Sequence, residues 1–175
     1  MLKTALSLEG PVALRYPRGE GIGAALEEPF TPLESLAAEV LEEEGEIAIL
    51  AVGSMVDAAQ KTAKLLKEEG LSAAVINMRT VKPLDEELLH RMAHEKKMLV
   101  TMEENALAGG FGSAVLEALA DAGLLVPVVR FGIGDAFIEQ GKPQELLEMA
   151  GLQPEQMARS ILTAWKGARD GEGAA

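Results

Sequence analysis

Short apolar runs alternate with longer amphipathic stretches through most of this chain, and this alternation constrains its fold more than any other feature. The first run, residues 47–52 (Ile-Ala-Ile-Leu-Ala-Val), has no polar break, as expected of a strand buried on both faces. The stretch that follows, residues 55–70, carries small and apolar side chains at helical spacing and ends in Gly70. The same alternation then repeats along the chain. It predicts an α/β fold with three layers, α/β/α, around a mostly parallel sheet.

The predicted elements can be placed from turn residues and capping signals. Asp85 is the expected N-cap of the helix that follows Pro83, and Pro154 is the expected first residue of the last helix. Residues 36–41 (Leu-Ala-Ala-Glu-Val-Leu) fit either an edge strand or a short helix. The predicted strands are residues 10–16, 47–52, 73–78, 98–102 and 126–131, and the predicted helices cover residues 55–70, a segment from Asp85, and residues 111–122, 144–150 and 154–166.

The segment that precedes residue 35 has a different composition from the rest of the chain. Residues 17–34 contain three prolines and three glycines, which is typical of a linker rather than of a core. We therefore predict that residues 1–19 are the end of a preceding domain, 20–34 a linker, 35–168 one domain and 169–175 a disordered tail.

Charge and composition exclude several classes of function. With 28 acidic and 16 basic residues the net charge is −12, which disfavours binding to nucleic acids or to anionic membranes. The chain has no cysteine, so a disulfide framework, a thiolate metal site and a cysteine nucleophile are all excluded. No apolar run reaches the roughly 20 residues of a membrane-spanning helix, and no signal peptide is visible. We expect a cytoplasmic protein.

Two groups of side chains could hold a cation or act as acid and base. His90 and His94 have metal-ligand spacing, although an exposed helix face explains them more simply. Glu103 and Glu104 end a predicted strand, where open parallel sheets bind ligands. They could bind a cation or transfer protons, and the simpler alternative is that they cap the helix that follows.

Two further segments could bind an anion. Gly109, Gly110 and Gly112 precede a predicted helix and fit either a phosphate cradle or a tight turn with close helix packing. Arg15 and Arg18 flank Tyr-Pro at the end of a predicted strand. Arginine pairs suit a phosphate or a carboxylate, and surface ion pairs are the alternative.

Six blocks of this sequence, taken together and in order, resemble the C-terminal part of the 1-deoxy-D-xylulose-5-phosphate synthase family, a group of transketolase-like enzymes. Single blocks are shared with other transketolase-like proteins, whereas Tyr-Pro-Arg-Gly combined with Phe-Gly-Ser-Ala-Val is much more specific. The blocks are Gly-Pro-Val-Ala-Leu-Arg-Tyr-Pro-Arg-Gly (10–19), Ala-Ile-Leu-Ala-Val-Gly-Ser-Met-Val (48–56), Val-Ile-Asn-Met-Arg-Thr-Val-Lys-Pro-Leu-Asp (75–85), Thr-Met-Glu-Glu-Asn (101–105), Gly-Gly-Phe-Gly-Ser-Ala-Val-Leu-Glu (109–117) and Gly-Ile-Gly-Asp-Ala-Phe-Ile-Glu-Gln-Gly (132–141).

The resemblance implies a transketolase C-terminal-domain fold. It also implies that the longer parent enzyme is a homodimer that uses thiamine diphosphate and Mg²⁺. That enzyme condenses pyruvate with D-glyceraldehyde 3-phosphate and releases carbon dioxide. Residues 1–19 would be the end of its pyrimidine-binding domain, and the rest of the parent chain would be the partner of this segment.

Most of the family's site residues have no counterpart in this chain. The Gly-Asp-Gly motif that holds the diphosphate and its metal does not occur, and the activating glutamate and the active-site histidines of the family lie upstream of the matching region. Only Arg18 matches a family site residue, the arginine that binds the substrate phosphate. Arg79 matches no catalytic residue, and a structural role between domains is expected for it. The chain alone should therefore be inactive and bind no cofactor.

Two other functions stay open on the sequence. The chain could be the equivalent domain of a 2-oxoacid dehydrogenase beta subunit, although Arg-Tyr-Pro-Arg-Gly (15–19) argues against that. It could also be a free-standing interaction module with no enzyme attached.

Overall fold

The computed structural model describes residues 1–17 and 32–172, and the chain divides into two compact units, Met1–Leu36 and Ala37–Ala175. None of the described helices is long and apolar enough to cross a membrane. In chain order the elements are α1 (Leu2–Ser7), β1 (Glu39–Glu42), β2 (Ile47–Ala51), α2 (Met55–Glu68), β3 (Ala73–Asn77), α3 (Glu86–Glu95), β4 (Met98–Ala106), α4 (Phe111–Asp121), β5 (Val128–Ile133), α5 (Pro143–Met149) and α6 (Pro154–Glu172).

The second unit is built on a five-stranded sheet with the order β1-β3-β2-β4-β5. Strands β2, β3, β4 and β5 run parallel, and only β1 runs antiparallel to its neighbour β3. Ile47 opens β2 opposite Ala73 on one side and Met98 on the other, so these three strands begin in line. The predicted mostly parallel α/β sheet is confirmed.

Alternate residues of the central strand point to opposite faces, and each face is covered by helices. On one face Ile47, Ile49 and Ala51 pack in a core cluster with side chains of α2 and α6. On the other face Ala48 and Leu50 pack with side chains of α3 and α4. All five residues of β2 are fully buried, which explains its unbroken apolar sequence. The three-layer arrangement is therefore also confirmed.

The edge strand β1 answers the question that the sequence left open at residues 36–41. The segment is a strand rather than a helix, and it pairs with β3 as Glu39↔Asn77 and Val40↔Ile76. Its last residue lies one position beyond the predicted segment. Asp85 caps α3 as predicted, because its Oδ1 accepts a hydrogen bond from the Leu88 backbone N–H at 3.0 Å.

The strand predicted at residues 10–16 is wrong. Residues 11–17 have no regular secondary structure, and the first unit instead contains the short helix α1, which was not predicted. An apolar run forms a strand only where its backbone groups have a ladder partner, and no described strand pairs with this one. At the other end of the chain α6 continues to Glu172, past the predicted domain end at residue 168.

Candidate functional site

The order of the parallel strands identifies where a ligand would be expected. The chain moves from β2 to β3 on one side of the sheet and from β4 to β5 on the other. In open parallel sheets such a switch point lies outside the carboxyl ends of the two central strands and is the usual ligand position. Here the connection from β2 to α2 and the connection from β4 to α4 flank it. The paired glutamates of the sequence lie in the second half of β4.

Glu103 uses its whole carboxylate inside the domain. The side chain is fully buried, and its two oxygens accept hydrogen bonds of 2.7 Å from the backbone N–H groups of Phe111 and Gly112. These two residues form the first turn of α4. The carboxylate therefore supplies the negative charge that a helix N-terminus favours. Of the two sequence interpretations, helix capping is the one the geometry supports.

The glycines at the start of α4 are required by close packing. A Cβ atom at Gly110 would lie 2.2 Å from the Ala106 carbonyl oxygen and 2.3 Å from Glu103 Oε2. A Cβ atom at Gly112 would lie 2.7 Å from the Thr101 hydroxyl oxygen. No side chain fits at these distances. The Gly-rich turn thus brings backbone N–H groups to a carboxylate of the same chain, in the position that a phosphate would take in a cradle.

Glu104, the next residue, makes a similar contact at the other flank of the switch point. It is exposed, and its Oε2 accepts a 2.6 Å hydrogen bond from the Ser54 hydroxyl group at the start of α2. Both carboxylates of the predicted pair are therefore bonded to the two connections that surround the switch point. Two negative charges at this place repel an anionic ligand.

Arg130 belongs to the same region and was missed by the sequence analysis. Its Nη1 donates to the Leu107 carbonyl oxygen at 3.0 Å and lies 3.3 Å from the Ser113 hydroxyl oxygen. The Ser113 hydroxyl group also donates to Leu107 O and accepts from the Gly109 N–H, both at 3.0 Å. The signal was available, because Arg130 is the one charged residue in the otherwise apolar strand β5.

Arg79 lies at the carboxyl end of β3 and ties it to the edge strand. Its Nη2 is 3.0 Å from Glu39 Oε2, and its Nη1 donates to the Ala37 carbonyl oxygen at 3.3 Å. Its backbone has a φ of 55°, in the left-handed region that non-glycine residues rarely adopt. The Asn77 side chain supports this conformation by accepting a 3.1 Å bond from the Arg79 N–H.

The remaining predicted site residues do not come together. His94 is exposed, and His90 is half-buried with no hydrogen-bond partner for its Nε2. In the part of the chain that the structure describes, no three His, Asp or Glu residues are grouped to hold a metal ion. Arg15 is exposed, whereas Arg18 lies outside the described residues, so the anion site at these arginines stays a prediction.

An ion pair lies at the opposite, amino end of the strands. Lys97 Nζ donates to Glu46 Oε1 at 2.7 Å, and this hydrogen bond lowers the pKa of the Glu46 carboxyl group below its ordinary value. The Lys97 ammonium group also lies 5.9 Å from the centre of the Trp165 ring. The pair therefore joins the starts of β2 and β4 to helix α6.

Comparison with known proteins agrees with this fold. The family described as "Transketolase, C-terminal domain" matches residues 36–157. The chain resembles a solved structure titled "Split gene transketolase, inactive beta4 tetramer" with a TM-score of 0.71 and 36% identity, covering 81% of this chain and 46% of that one. A transketolase from Pichia stipitis shows the same fold, with 20% identity and a TM-score of 0.56. That match covers 73% of this chain and 18% of the transketolase chain.

The chain belongs to the transketolase C-terminal domain family. Among curated proteins it is similar to 1-deoxy-D-xylulose-5-phosphate synthases. That of Prochlorococcus marinus (strain MIT 9211) is 48% identical over 93% of this chain and 25% of its own length. That of Thermosynechococcus vestitus is 51% identical over 88% of this chain and 24% of its own length. The chain thus spans about a quarter of the length of these relatives.

Proposed function

We propose that this chain is the C-terminal part of a thiamine-diphosphate-dependent synthase. The enzyme would condense pyruvate with D-glyceraldehyde 3-phosphate to 1-deoxy-D-xylulose 5-phosphate and release carbon dioxide. The similarity that carries this proposal is 48% identity over 93% of the chain to a protein of that name. It favours the synthase over a 2-oxoacid dehydrogenase subunit or a free-standing module. Because the chain spans a quarter of that relative, the activity is proposed for the longer polypeptide.

The described residues do not fit the cofactor of such an enzyme. The sequence contains no Gly-Asp-Gly motif, and the N-terminus of α4, where a diphosphate would be expected, holds the Glu103 carboxylate. A diphosphate would have to displace this buried charge, at a cost that nothing nearby offsets. We therefore propose that thiamine diphosphate and Mg²⁺ bind to other parts of the full-length enzyme.

The role proposed for this chain is structural. Its polar groups at the carboxyl ends of the strands hold neighbouring elements together: Glu103 and Arg130 fix the start of α4, and Arg79 fixes β1. Such a domain would support the catalytic part of a cytoplasmic homodimer, as the family resemblance implies. In the proposed organisation residues 1–19 end the pyrimidine-binding domain and residues 20–34 are a linker.

Arg18 is the residue proposed to contact substrate, through the phosphate of glyceraldehyde 3-phosphate. In the full-length enzyme, Arg18→Ala should cost roughly 1.5–3 kcal/mol of binding, so the KM for this substrate should rise about tenfold or more. The KM for pyruvate should change little. Arg159→Ala, at an exposed arginine of α6, is the control and should leave both KM values unchanged. A KM for the phosphate substrate that stays within about twofold would reject this role, since a lost charge-assisted bond costs more than that.

Two measurements test the proposed function itself. The full-length protein should consume pyruvate and glyceraldehyde 3-phosphate and yield carbon dioxide and the five-carbon product only when thiamine diphosphate and a divalent metal are added. Absence of that activity in a folded full-length protein would reject the synthase. The 175-residue chain, titrated calorimetrically with the same cofactor and metal, should give no saturable heat, and micromolar affinity there would reject the purely structural role.

A further inference from the structure

The connection between β5 and α5 presents large apolar side chains to solvent. Residues 134–145 are all exposed. Within them Phe137 has 107% of its reference surface accessible, and Ile138 has 39%. By contrast, Phe111 of helix α4 is 1% exposed. An aromatic side chain gains free energy when it leaves water, and the exposed Ile138 lies directly beside Phe137, so the two side chains together form an apolar patch that a partner surface could cover.

The exposure of Phe137 does not come from a lack of local structure. The Ala136 N–H donates to the Gly134 carbonyl oxygen at 2.8 Å, forming a tight turn just before Phe137. After it, the chain comes so close to α5 that a Cβ atom at Gly141 would lie 2.9 Å from Leu146 Cδ2. Local contacts therefore fix both ends of the connection. Between these ends, the Phe137 side chain points away from the domain into solvent.

The neighbours of Phe137 suggest the chemistry of its partner. Asp135 and Glu139 lie two residues to either side and are exposed. A surface that accepts this segment would combine an apolar pocket for Phe137 and Ile138 with basic groups at its rim. We propose that Phe137 and Ile138 dock into such a pocket on the catalytic part of the same synthase polypeptide; this inference rests on the proposed function.

A second copy of the chain is a poorer occupant for two reasons. Each copy carries a net charge of −12, so two copies repel one another. A stable dimer also needs about 800 Å² of buried surface per partner, which two side chains cannot supply. A tethered domain needs less, because the covalent link already supplies an effective concentration in the millimolar range.

Hydroxyl-radical footprinting read by mass spectrometry tests this inference in the full-length synthase and in the 175-residue chain. Labelling of Phe137 should fall roughly fivefold or more in the full-length protein, as expected for a side chain that is desolvated in a pocket. Leu125 is the matched control: it is 101% exposed, lies before β5 at the opposite end of the sheet and should be labelled equally in both proteins.

Variants give an independent readout. In the full-length enzyme Phe137→Asp should lower the thermal midpoint, whereas Leu125→Asp should not. Equal labelling of Phe137 in both proteins would overturn the inference. Protection of Phe137 that appears in the 175-residue chain as its concentration rises would also overturn it, because a second copy would then be the occupant. An active synthase with an unprotected Phe137 would count against the docking alone, whereas a folded protein without synthase activity would count against the proposed function.

Discussion

A single buried carboxylate, that of Glu103, fixes the geometry of the candidate site. It has no exposed surface and is bonded to two backbone N–H groups of α4. If it is removed, those donors lose their partner in a place that water does not reach. Because buried donors without a partner destabilise the folded state, the main role of the Glu103 carboxylate is to stabilise the fold rather than to bind a ligand.

Glu103→Ala should therefore lower the free energy of unfolding by roughly 2–4 kcal/mol. Glu103→Gln should cost about half as much, since the amide oxygen can still serve one of the two N–H groups. Urea denaturation measures both. Glu104→Ala is the matched control on the neighbouring residue: its bond to Ser54 is exposed and should be worth less than about 1 kcal/mol. Equal effects at both positions would contradict the assigned role of Glu103.

Gly110 gives a second prediction at the same scale. Its φ of −89° is open to any residue, so the cost of Gly110→Ala comes only from the Cβ atom 2.2 Å from the Ala106 carbonyl oxygen. Overpacking against backbone should destabilise by about 3 kcal/mol. Gly134→Ala, where nothing lies within 4 Å, should change stability by less than about 1 kcal/mol. Thermal unfolding of the two variants side by side checks this, and similar midpoints would disprove the steric argument.

The sequence could place these residues together but could not choose between their roles. Paired carboxylates after a strand and glycines before a helix meet at the same edge of a parallel sheet in either interpretation. What decides between a ligand site and a helix cap is the direction of the Glu103 side chain. That direction follows from the position of the first turn of α4, whose Phe111 and Gly112 N–H groups bind the carboxylate, and no local pattern contains that position.

At the scale of elements, periodicity predicted the four parallel strands and their helices well. β2 was predicted to within one residue, because it is buried on both faces and its apolar run is continuous. β4 runs four residues past its predicted end, through Glu103 to Ala106, since its polar second half continues to pair with β5 after a register shift. β1 was ambiguous because an edge strand is only partly buried and shows no strict alternation.

The Glu46–Lys97 pair joins elements and gives a prediction that depends on pH. Both side chains are well exposed, so the pair should contribute only about 0.5 kcal/mol and weaken with salt. The pKa of Glu46 is lowered in the folded protein. The stabilisation of the folded state by ionised Glu46 is therefore fully present above the ordinary carboxyl pKa. It is lost as the pH falls through the lowered pKa of Glu46 in the folded protein.

Lys97→Met should accordingly reduce the free energy of unfolding at pH 6 by more than it does at pH 3. A difference that remains at low pH would report the contact of the Lys97 ammonium group with the Trp165 ring. Urea titrations at the two pH values, each at low and high salt, measure it. Lys64→Met, for which no ion pair is described, is the control, and a loss for Lys97→Met that is larger at pH 3 would contradict the assignment.

At the scale of the whole molecule, the core belongs to one unit. Every residue of the two core clusters, and every partly buried residue packed against them, lies between Ala38 and Trp165. The domain organisation predicted from the change in composition near residue 35 stays a prediction. The strand prediction failed in the first unit, where residues 10–16 carry a strand pattern whose partner strands would have to come from elsewhere. A local sequence pattern indicates only that a segment can form a strand. The described residues contain no strand that pairs with residues 10–16.

A chain of residues 37–175 should therefore fold as a cooperative domain. We expect its thermal midpoint to lie within about 2 °C of that of the 175-residue chain, because for a domain of this size a larger shift would mean a loss of more than roughly 0.5–1 kcal/mol. Circular dichroism at a helical wavelength measures both proteins.

A second truncation, residues 1–153, is the control. It removes α6 and with it Met157, Ile161 and Trp165, which form part of one core face. Losing that helix exposes to water the part of this face that α6 covers, so the control should show no cooperative transition. A domain of residues 37–175 that melted more than about 5 °C lower would mean that the first unit contributes over 1 kcal/mol to the stability of the second.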